Sequence, residues 1–355
     1  MEKAGITPDV IDEVILGNIF GSDWGNPARN AVLEAGWKEV PAITVDRQCG
    51  SALSGLGIAA SMIREGMADV IMTGGVESYS QQPYYIMQPE RAYAPALNVQ
   101  PYKTSIPGGL GGNIAMIDTA ENLAELYHIT REECDAFALC SHKKAAAAIE
   151  NGWVKDQIVP VPVRQKKGIR VVDADACIRF DASMEGLSGL NVVSGRPNGV
   201  VTAGNASPQN DGATAVLVMS GEMACKLGLK PLAVVKEYCA AGCEPATMGL
   251  GPVFSTRKLM ARYGYTIDDF DLVELNEAFA AQSLACIKEL GLDLERVNVE
   301  GGAIAIGHPN GASGGMLVGR LVGALRRRDL KRGLVSFCCG GGQGVSLVLE
   351  NYDMV

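Results

Sequence analysis

The sequence predicts an α/β protein made of two similar halves, with a segment inserted into the first. Three observations lead there. Apolar strand-like runs alternate with helical ones along most of the 355 residues, the pattern of sheets covered by helices. A shift of 259 positions, from Cys49 to His308, brings two separate stretches into register. V-D-R-Q-C-G-S-A-L-S-G (45–55) falls on I-A-I-G-H-P-N-G-A-S-G (304–314), and I-D-E-V-I-L-G-N-I-F-G (11–21) falls on F-D-L-V-E-L-N-E-A-F-A (270–280), pairing Val14 with Val273 and Phe20 with Phe279. One offset shared by two stretches points to duplication rather than chance. Third, residues 79–195 interrupt the alternation, and structureless connections of that length are uncommon in compact domains.

Taken in chain order, the apolar runs predict strands at Glu13–Leu16, Ile43–Val45, Val70–Thr73, Ala215–Met219, Ala233–Tyr238, Asp271–Leu275 and Leu334–Cys338. Helical patterns fall at Pro27–Ala35, Ser51–Glu65, Thr119–Tyr127, Arg131–Asn151, Thr256–Tyr263, Ala280–Leu290 and Ala312–Arg327. The insertion is rich in Pro, Gly and Tyr up to Gly112, then helical, then basic and irregular after Pro160 (V-R-Q-K-K-G-I-R). The expected domains are therefore 1–78 with 196–228, an inserted loop or lid domain at 79–195, and a second half at 229–355.

The composition is that of an ordinary globular chain, 47% apolar and 20% charged. A net charge of −9 repels phosphate backbones and argues against nucleic acid as a partner. It leaves room for a small anionic ligand at a local cationic pocket or helix N-terminus. No apolar run is long enough to span a bilayer, and the start M-E-K-A-G-I has no charged-then-apolar leader. The expectation is a cytoplasmic protein without membrane contact. Ten cysteines lack paired C-x-x-C spacing, so neither zinc nor a disulfide framework is expected. The 43 glycines cluster at 108–112, 301–302, 311–315 and 340–344, which suggests turns built from backbone.

Cys49 follows the extended run P-A-I-T-V and precedes a small-residue helix. A thiol at a helix N-terminus feels the partial positive charge of free amides, so its pKa is expected to be lowered. Gly50, Ser51 and Ala52 leave room for an acyl group. His308 lies between Gly307 and Pro309; a rigidly held imidazole beside a thiol is the base that activates it. The other two histidines, His128 and His142, lie on polar helical stretches and read as surface residues. Cys338 ends a strand before a glycine string, where amides can turn towards an oxyanion and an exposed thiol can move protons. Its neighbour Cys339 should point into the core. In N-E-A-F-A (276–280), Asn276 can orient a water or an acyl oxygen and Glu277 can hold His308 or Asn276; a plain helix N-cap would also satisfy this stretch. V-T-A-G-N-A-S-P-Q-N-D-G-A (201–213) reads equally well as a ligand-facing loop or a structural connection.

Together these segments resemble the thiolase family of acyl-CoA C-acyltransferases. The motifs are C-G-S (49–51), G-G-V-E-S (74–78), T-A-E-N (119–122), V-T-A-G-N-A-S (201–207), N-D-G-A (210–213), N-E-A-F-A (276–280), G-G-A-I-A-I-G-H-P-x-G-A-S-G (301–314) and C-x-G-G-G-x-G (338–344). The resemblance covers essentially the whole chain. It implies a duplicated α-β-α-β-α five-layer fold with an inserted loop domain, and a homodimer or homotetramer. It implies ping-pong Claisen chemistry that forms or cleaves a 3-oxoacyl-CoA such as acetoacetyl-CoA. Coenzyme A and acetyl-CoA would be substrates, with no permanently bound cofactor and no metal. By position, Cys49 resembles the nucleophile, His308 its activator and Cys338 the acid/base at the α-carbon. Asn276 acting through a water, with His308, would form one oxyanion site. The amides of Cys49 and Gly340 would form the other. Met116, Arg179, Ala203, Ser207 and Phe279 fall at substrate- or CoA-binding positions.

The chain departs from the pattern in places. Asp46 stands where the family usually has Asn, and Ala52 where it has Gly. Ala115, Met116 and Ile117 replace the His-Met-Gly of biosynthetic members, and Glu237 falls near a serine of the CoA pocket. The first residues resemble the end of the family's first long helix, so its first core strand is expected to be missing, with an open sheet edge as the result. Two other readings stay open at this point: a ketoacyl-synthase relative, and a non-catalytic thiolase-like acyl-CoA-binding subunit.

Overall fold

The computed structural model describes residues 1–21, 25–85, 100–101 and 114–355. In chain order these form β1 (Glu13–Gly17), α1 (Pro27–Glu34), β2 (Ala42–Val45), α2 (Ser51–Arg64), β3 (Val70–Glu77), β4 (Tyr84–Tyr85), β5 (Gln100–Pro101), α3 (Met116–Tyr127), α4 (Arg131–Glu150), β6 (Val161–Gln165), β7 (Gly168–Val172) and α5 (Met184–Ser188). There follow β8 (Gly212–Met219), α6 (Gly221–Lys226), β9 (Ala233–Gly242), α7 (Gly251–Tyr263), β10 (Leu272–Leu275), α8 (Ala280–Leu290), α9 (Ala303–Ile306), α10 (Ser313–Arg327), β11 (Arg332–Cys339) and β12 (Gln343–Asn351).

Local chemistry explains many of these boundaries. Asn26 caps α1 by accepting from Arg29 N, with Pro27 at the first helical position. Thr130 and Glu133 close a capping box at the start of α4. Gly264 and Gly291, both at positive φ, end α7 and α8.

Two sheets carry the fold. The first runs β2-β1-β3-β8 and the second β10-β11-β12-β9. In the first, β1 is parallel to β2 and β3, and β3 is antiparallel to β8. In the second, β10 is parallel to β11, and β12 is antiparallel to both β11 and β9. A parallel bridge from Val273 to Val297 stands where β2 stands beside β1. The duplication read from the 259-residue offset is thus a duplication of sheet topology. Helices α2 and α10 pack on each other and on both sheets, α1 covers the outside of the first sheet, and α7 and α8 cover the second. That gives the five α-β-α-β-α layers. Leu53 and Leu56 of α2 share a core with Leu317 and Leu321 of α10 and with Phe337, Val345 and Leu347.

All seven expected strands are present, and each expected helix is found within a few residues. Five strands were not foreseen, β4, β5, β6, β7 and β12. G-V-S-L-V-L-E, to which no element was assigned, lies in β12, buried almost throughout between β11 and β9. The basic stretch after Pro160 is not irregular but forms the exposed β6–β7 hairpin. The glycines of 108–112 lie outside the described residues. Helices α3 and α4 pack against α8, and α4 also against α9. The expected open edge is found as well. Among the described residues, β8 has no strand on the side where β9 flanks its counterpart β12.

Candidate active site

Cys49 sits in the tight turn that leads into α2. Gln48 has φ +49, and its N–H donates to Asp46 Oδ1 at 2.8 Å. Ser51 Oγ accepts from Arg47 N at 2.8 Å and donates to Gln48 O at 2.6 Å. Cys49 is only partly exposed, and its sulfur faces two backbone amides, its own and that of Gly340. Gly340 follows β11, in the second half. The two expected oxyanion donors therefore converge on the sulfur from different halves.

The expected lowering of the thiol pKa is not found. Burial dominates and pushes Cys49 up to about 12, with Glu77 and Asp46 adding like charge, while the two amides act against this. A helix N-terminus helps a thiolate only where desolvation does not outweigh it. Cys338 is also a correction. It is fully buried rather than exposed, and burial next to Cys49 holds its thiol well above the usual range. Cys339 points into the core, as expected.

His308 is buried and neutral, pushed down to about 4 by desolvation. Its backbone N–H donates to Asn210 Oδ1 at 2.7 Å and to Pro208 O at 3.2 Å. Its Nδ1 lies 2.6 Å from Ser313 Oγ, which itself donates to Pro309 O at 3.1 Å. With that hydroxyl proton committed, Nδ1 carries the hydrogen and Nε2 is left as the base. Nε2 faces Asn276 Nδ2 at 3.4 Å, and Asn276 Oδ1 has no protein partner among the described residues. A side chain on Gly17 would run into Gly311 O and into Ser51. Glycine there lets the His308 loop close onto the first turn of α2.

Glu277 does not hold His308 or Asn276. It accepts from Ser141 Oγ at 2.7 Å, Asn298 Nδ2 at 2.8 Å and Ile304 N at 3.1 Å, and so ties α4 to α9. Nor does Asn276 cap α8, whose N-cap is Phe279 without a side-chain cap bond. The 201–213 segment does structural work on the site: Asn210 holds His308, and Ser207 N donates to Ala278 O at 3.0 Å. Cys338 packs with Met248 and Ala278, against Met116 and Phe279. Two of the five expected substrate positions, Met116 and Phe279, thus line the Cys338 thiol. Ser207 adjoins them through Ala278. Ala203 and Arg179 are exposed and outside this cluster. His142 is buried rather than a surface residue, its Nδ1 accepting from Arg179 N at 3.2 Å, whereas His128 is exposed.

Sequence reasoning missed Ser313, Asn210, Met248 and the hub role of Glu77. The Glu77 carboxylate accepts from Asn18 Nδ2 (3.1 Å), Ile19 N (3.3 Å), Phe20 N (3.1 Å) and Gly311 N (2.9 Å), fastening loops of both halves. The only signal for Ser313, Asn210 and Glu77 was their place inside the quoted motifs, and Met248 lies in none of them. A surface depression lined by Ile267, Phe270, Leu292 and Arg296 lies at the opposite end of β10 from Asn276 and shares no residue with the cluster.

The chain and its fold match known proteins. Residues 1–222 match the model of the thiolase N-terminal domain, and 229–351 that of the thiolase C-terminal domain. The chain is 47% identical over 356 residues to an acetyl-CoA acetyltransferase of Chromobacterium violaceum, covering 99% of this chain and 90% of that protein. The crystal structure of the Bacillus anthracis acetyl-CoA acetyltransferase superposes with a TM-score of 0.92 at 41% identity, and that of human mitochondrial 3-ketoacyl-CoA thiolase with 0.92 at 38%. Each covers 99% of this chain, which covers 90% of each. Matching domain models along nearly the whole length, relatives at up to 47% identity and the duplicated topology make this chain a member of the thiolase family.

Proposed function

We propose that the protein is an acyl-CoA C-acyltransferase, forming or cleaving 3-oxoacyl-CoA such as acetoacetyl-CoA through an acyl-Cys49 intermediate. The observation that carries this is the convergence of the Cys49 and Gly340 amides on the Cys49 sulfur, with Cys338 beside it. As the sulfur attacks the acyl carbonyl, His308 Nε2 takes the thiol proton. The two amides hold the negative charge that develops on the carbonyl oxygen. At rest, a thiol near 12 and an imidazole near 4 make this transfer uphill, so thiolate forms only as the acyl group engages. In cleavage, the bond between the α- and β-carbons breaks, and the Cys338 thiol protonates the departing α-carbon. In synthesis, it removes that proton. The protonated Nε2, with a water on Asn276 Oδ1, donates to the second thioester oxygen. In cleavage coenzyme A then accepts the acyl group from Cys49; in synthesis the first acetyl-CoA has already released its CoA on acylating Cys49, and the α-carbon of the second takes the acyl group, so the cycle is ping-pong in both directions.

Met116, Phe279 and Met248 would contact the acyl end of the substrate. CoA enters as a substrate, with no permanently held cofactor. We assign 79–195 as a loop domain inserted into the first half, and a homodimer or homotetramer as the assembly. No described helix is long and apolar enough to cross a membrane. Ten free thiols fit a reducing compartment such as the cytoplasm. Neither a ketoacyl-synthase relative nor a non-catalytic subunit is favoured: a cysteine stands at 338, and all three reactive side chains are present.

The test is incubation with acetyl-CoA followed by intact mass. An acetyl adduct is expected on the wild type and not on Cys49→Ser, with thiolysis of acetoacetyl-CoA lost in that variant. No adduct at any pH from neutral to mildly alkaline would sink the proposal.

A further inference from the structure

The Cys49 turn is gripped from the other half of the molecule. The Arg47 guanidinium donates to Tyr238 Oη and, at 3.3 Å, to Ser54 Oγ. Tyr238 Oη also donates to Ser54 Oγ at 3.0 Å, and Ser54 Oγ donates to Gly50 O at 2.8 Å. The hydroxyl of Ser54 thus accepts twice and donates once, and its donation ends on the backbone next to Cys49. Tyr238 belongs to β9, the edge strand of the second sheet. Its ring lies where any side chain on Gly57 would be, so glycine in α2 lets the ring seat flat on the helix. Further along α2, Arg64 donates to Val235 O at 2.8 Å and also to Lys236 O. Strand β9 therefore holds α2 at both ends.

The turn needs such a grip. Gln48 is not a glycine, yet it has φ +49, a conformation that persists only when the surroundings enforce it. Its side chain lies against Gly340. The Cys49 amide comes from this turn, and the Gly340 amide from the same sheet that carries Tyr238. A link from Arg47 to Tyr238 therefore joins the supports of both donors.

We propose that Arg47, held by Tyr238 and Ser54, is a positioning residue that sets the spacing of the two amides facing the Cys49 sulfur. Arg47 touches neither the sulfur nor the carbonyl being attacked; it acts through the turn. The inference rests on Cys49 being the nucleophile. Loosening the grip moves one oxyanion donor off target while leaving the substrate-contacting surface intact, so it acts on kcat and not on KM.

The experiment uses the full chain with Arg47→Met, Arg47→Lys and Tyr238→Phe. It measures kcat and KM for thiolysis of acetoacetyl-CoA, the thermal midpoint, and the rate of Cys49 alkylation by iodoacetamide against pH, read by mass. Arg47→Met is expected to lower kcat by about 100-fold with KM for CoA nearly unchanged. Its alkylation midpoint should move to higher pH, since the amides that favour thiolate are displaced. Arg47→Lys should recover part of both, and Tyr238→Phe should show a smaller change in the same direction. Arg47→Met with wild-type kcat, or with a fall in kcat but an unmoved alkylation midpoint, overturns the proposal; the latter marks a merely structural residue. If Arg47→Met does not fold, Tyr238→Phe decides by the same two readouts. A wild type without an acetyl adduct on Cys49 overturns the nucleophile assignment itself and this proposal with it. An intact adduct with indifferent variants overturns this proposal alone.

Discussion

Desolvation controls the reactive groups. Cys49 is pushed up by burial and by the charges of Glu77 and Asp46. Asp46 also accepts the Gln48 amide. Asp46→Asn keeps an acceptor oxygen there and removes only the charge. Cys49 in that variant should alkylate faster at neutral pH, with its midpoint moved to lower pH; an unmoved midpoint would mean that the charge is screened at the sulfur. His308 has the opposite lever on stability. Its folded pKa of about 4 lies below the 6.5 of an exposed imidazole, so below pH 6.5 the unfolded chain takes up a proton that the folded chain refuses. Stability from this group is complete above pH 6.5 and falls as pH drops towards 4. His308→Asn should lose most thiolysis, by about 10²–10⁴-fold. Urea midpoints measured from pH 7 to 4.5 should fall less in this variant than in the wild type. Cys49, His308 and Cys338 could be put forward from the sequence because each sits in a motif with a chemical reason for its residue type. Ser313 was not, since a serine five residues beyond a histidine gains meaning only when the loop folds the hydroxyl back onto Nδ1.

The elements show where a period of alternation suffices and where it does not. Strands with apolar runs were readable from sequence; β12 was hidden behind glycines, because a strand buried on both faces and paired on both edges lacks the polar alternation that marks a half-exposed one. The two sheets repeat one topology, but their edges differ: among the described residues β12 is paired on both sides, by β11 and β9, and β8 on one side only, by β3. The β8 amides that point away from β3 should therefore exchange with deuterium faster than those of β12. Equal protection in the two strands would show that something covers the β8 edge in solution. An uncovered edge of this kind is also a template for unwanted pairing.

Across the whole molecule, the two halves share one interior. Leu53 is fully buried in the core that joins α2 to α10 and the second sheet. Leu53→Ala should cost about 2–5 kcal/mol and lower a single thermal transition common to both sheets. Two separate transitions would show that the halves unfold independently. Motif, spacing and apolar period by themselves determined the family and the duplication, because these depend on residue type and local pattern, and they put forward Cys49, His308 and Cys338 as the reactive side chains. Only the tertiary structure decided their ionisation, since burial is set by what packs around a group and not by its neighbours in sequence. It also turned Glu277 away from His308 towards Ser141 and Asn298, buried His142 and Cys338, and brought Arg47 to Tyr238, 191 positions away. Arg47 and Tyr238 lie in opposite halves, and Ser141 reaches Glu277 from the insertion; no local pattern carries the geometry by which such distant segments close.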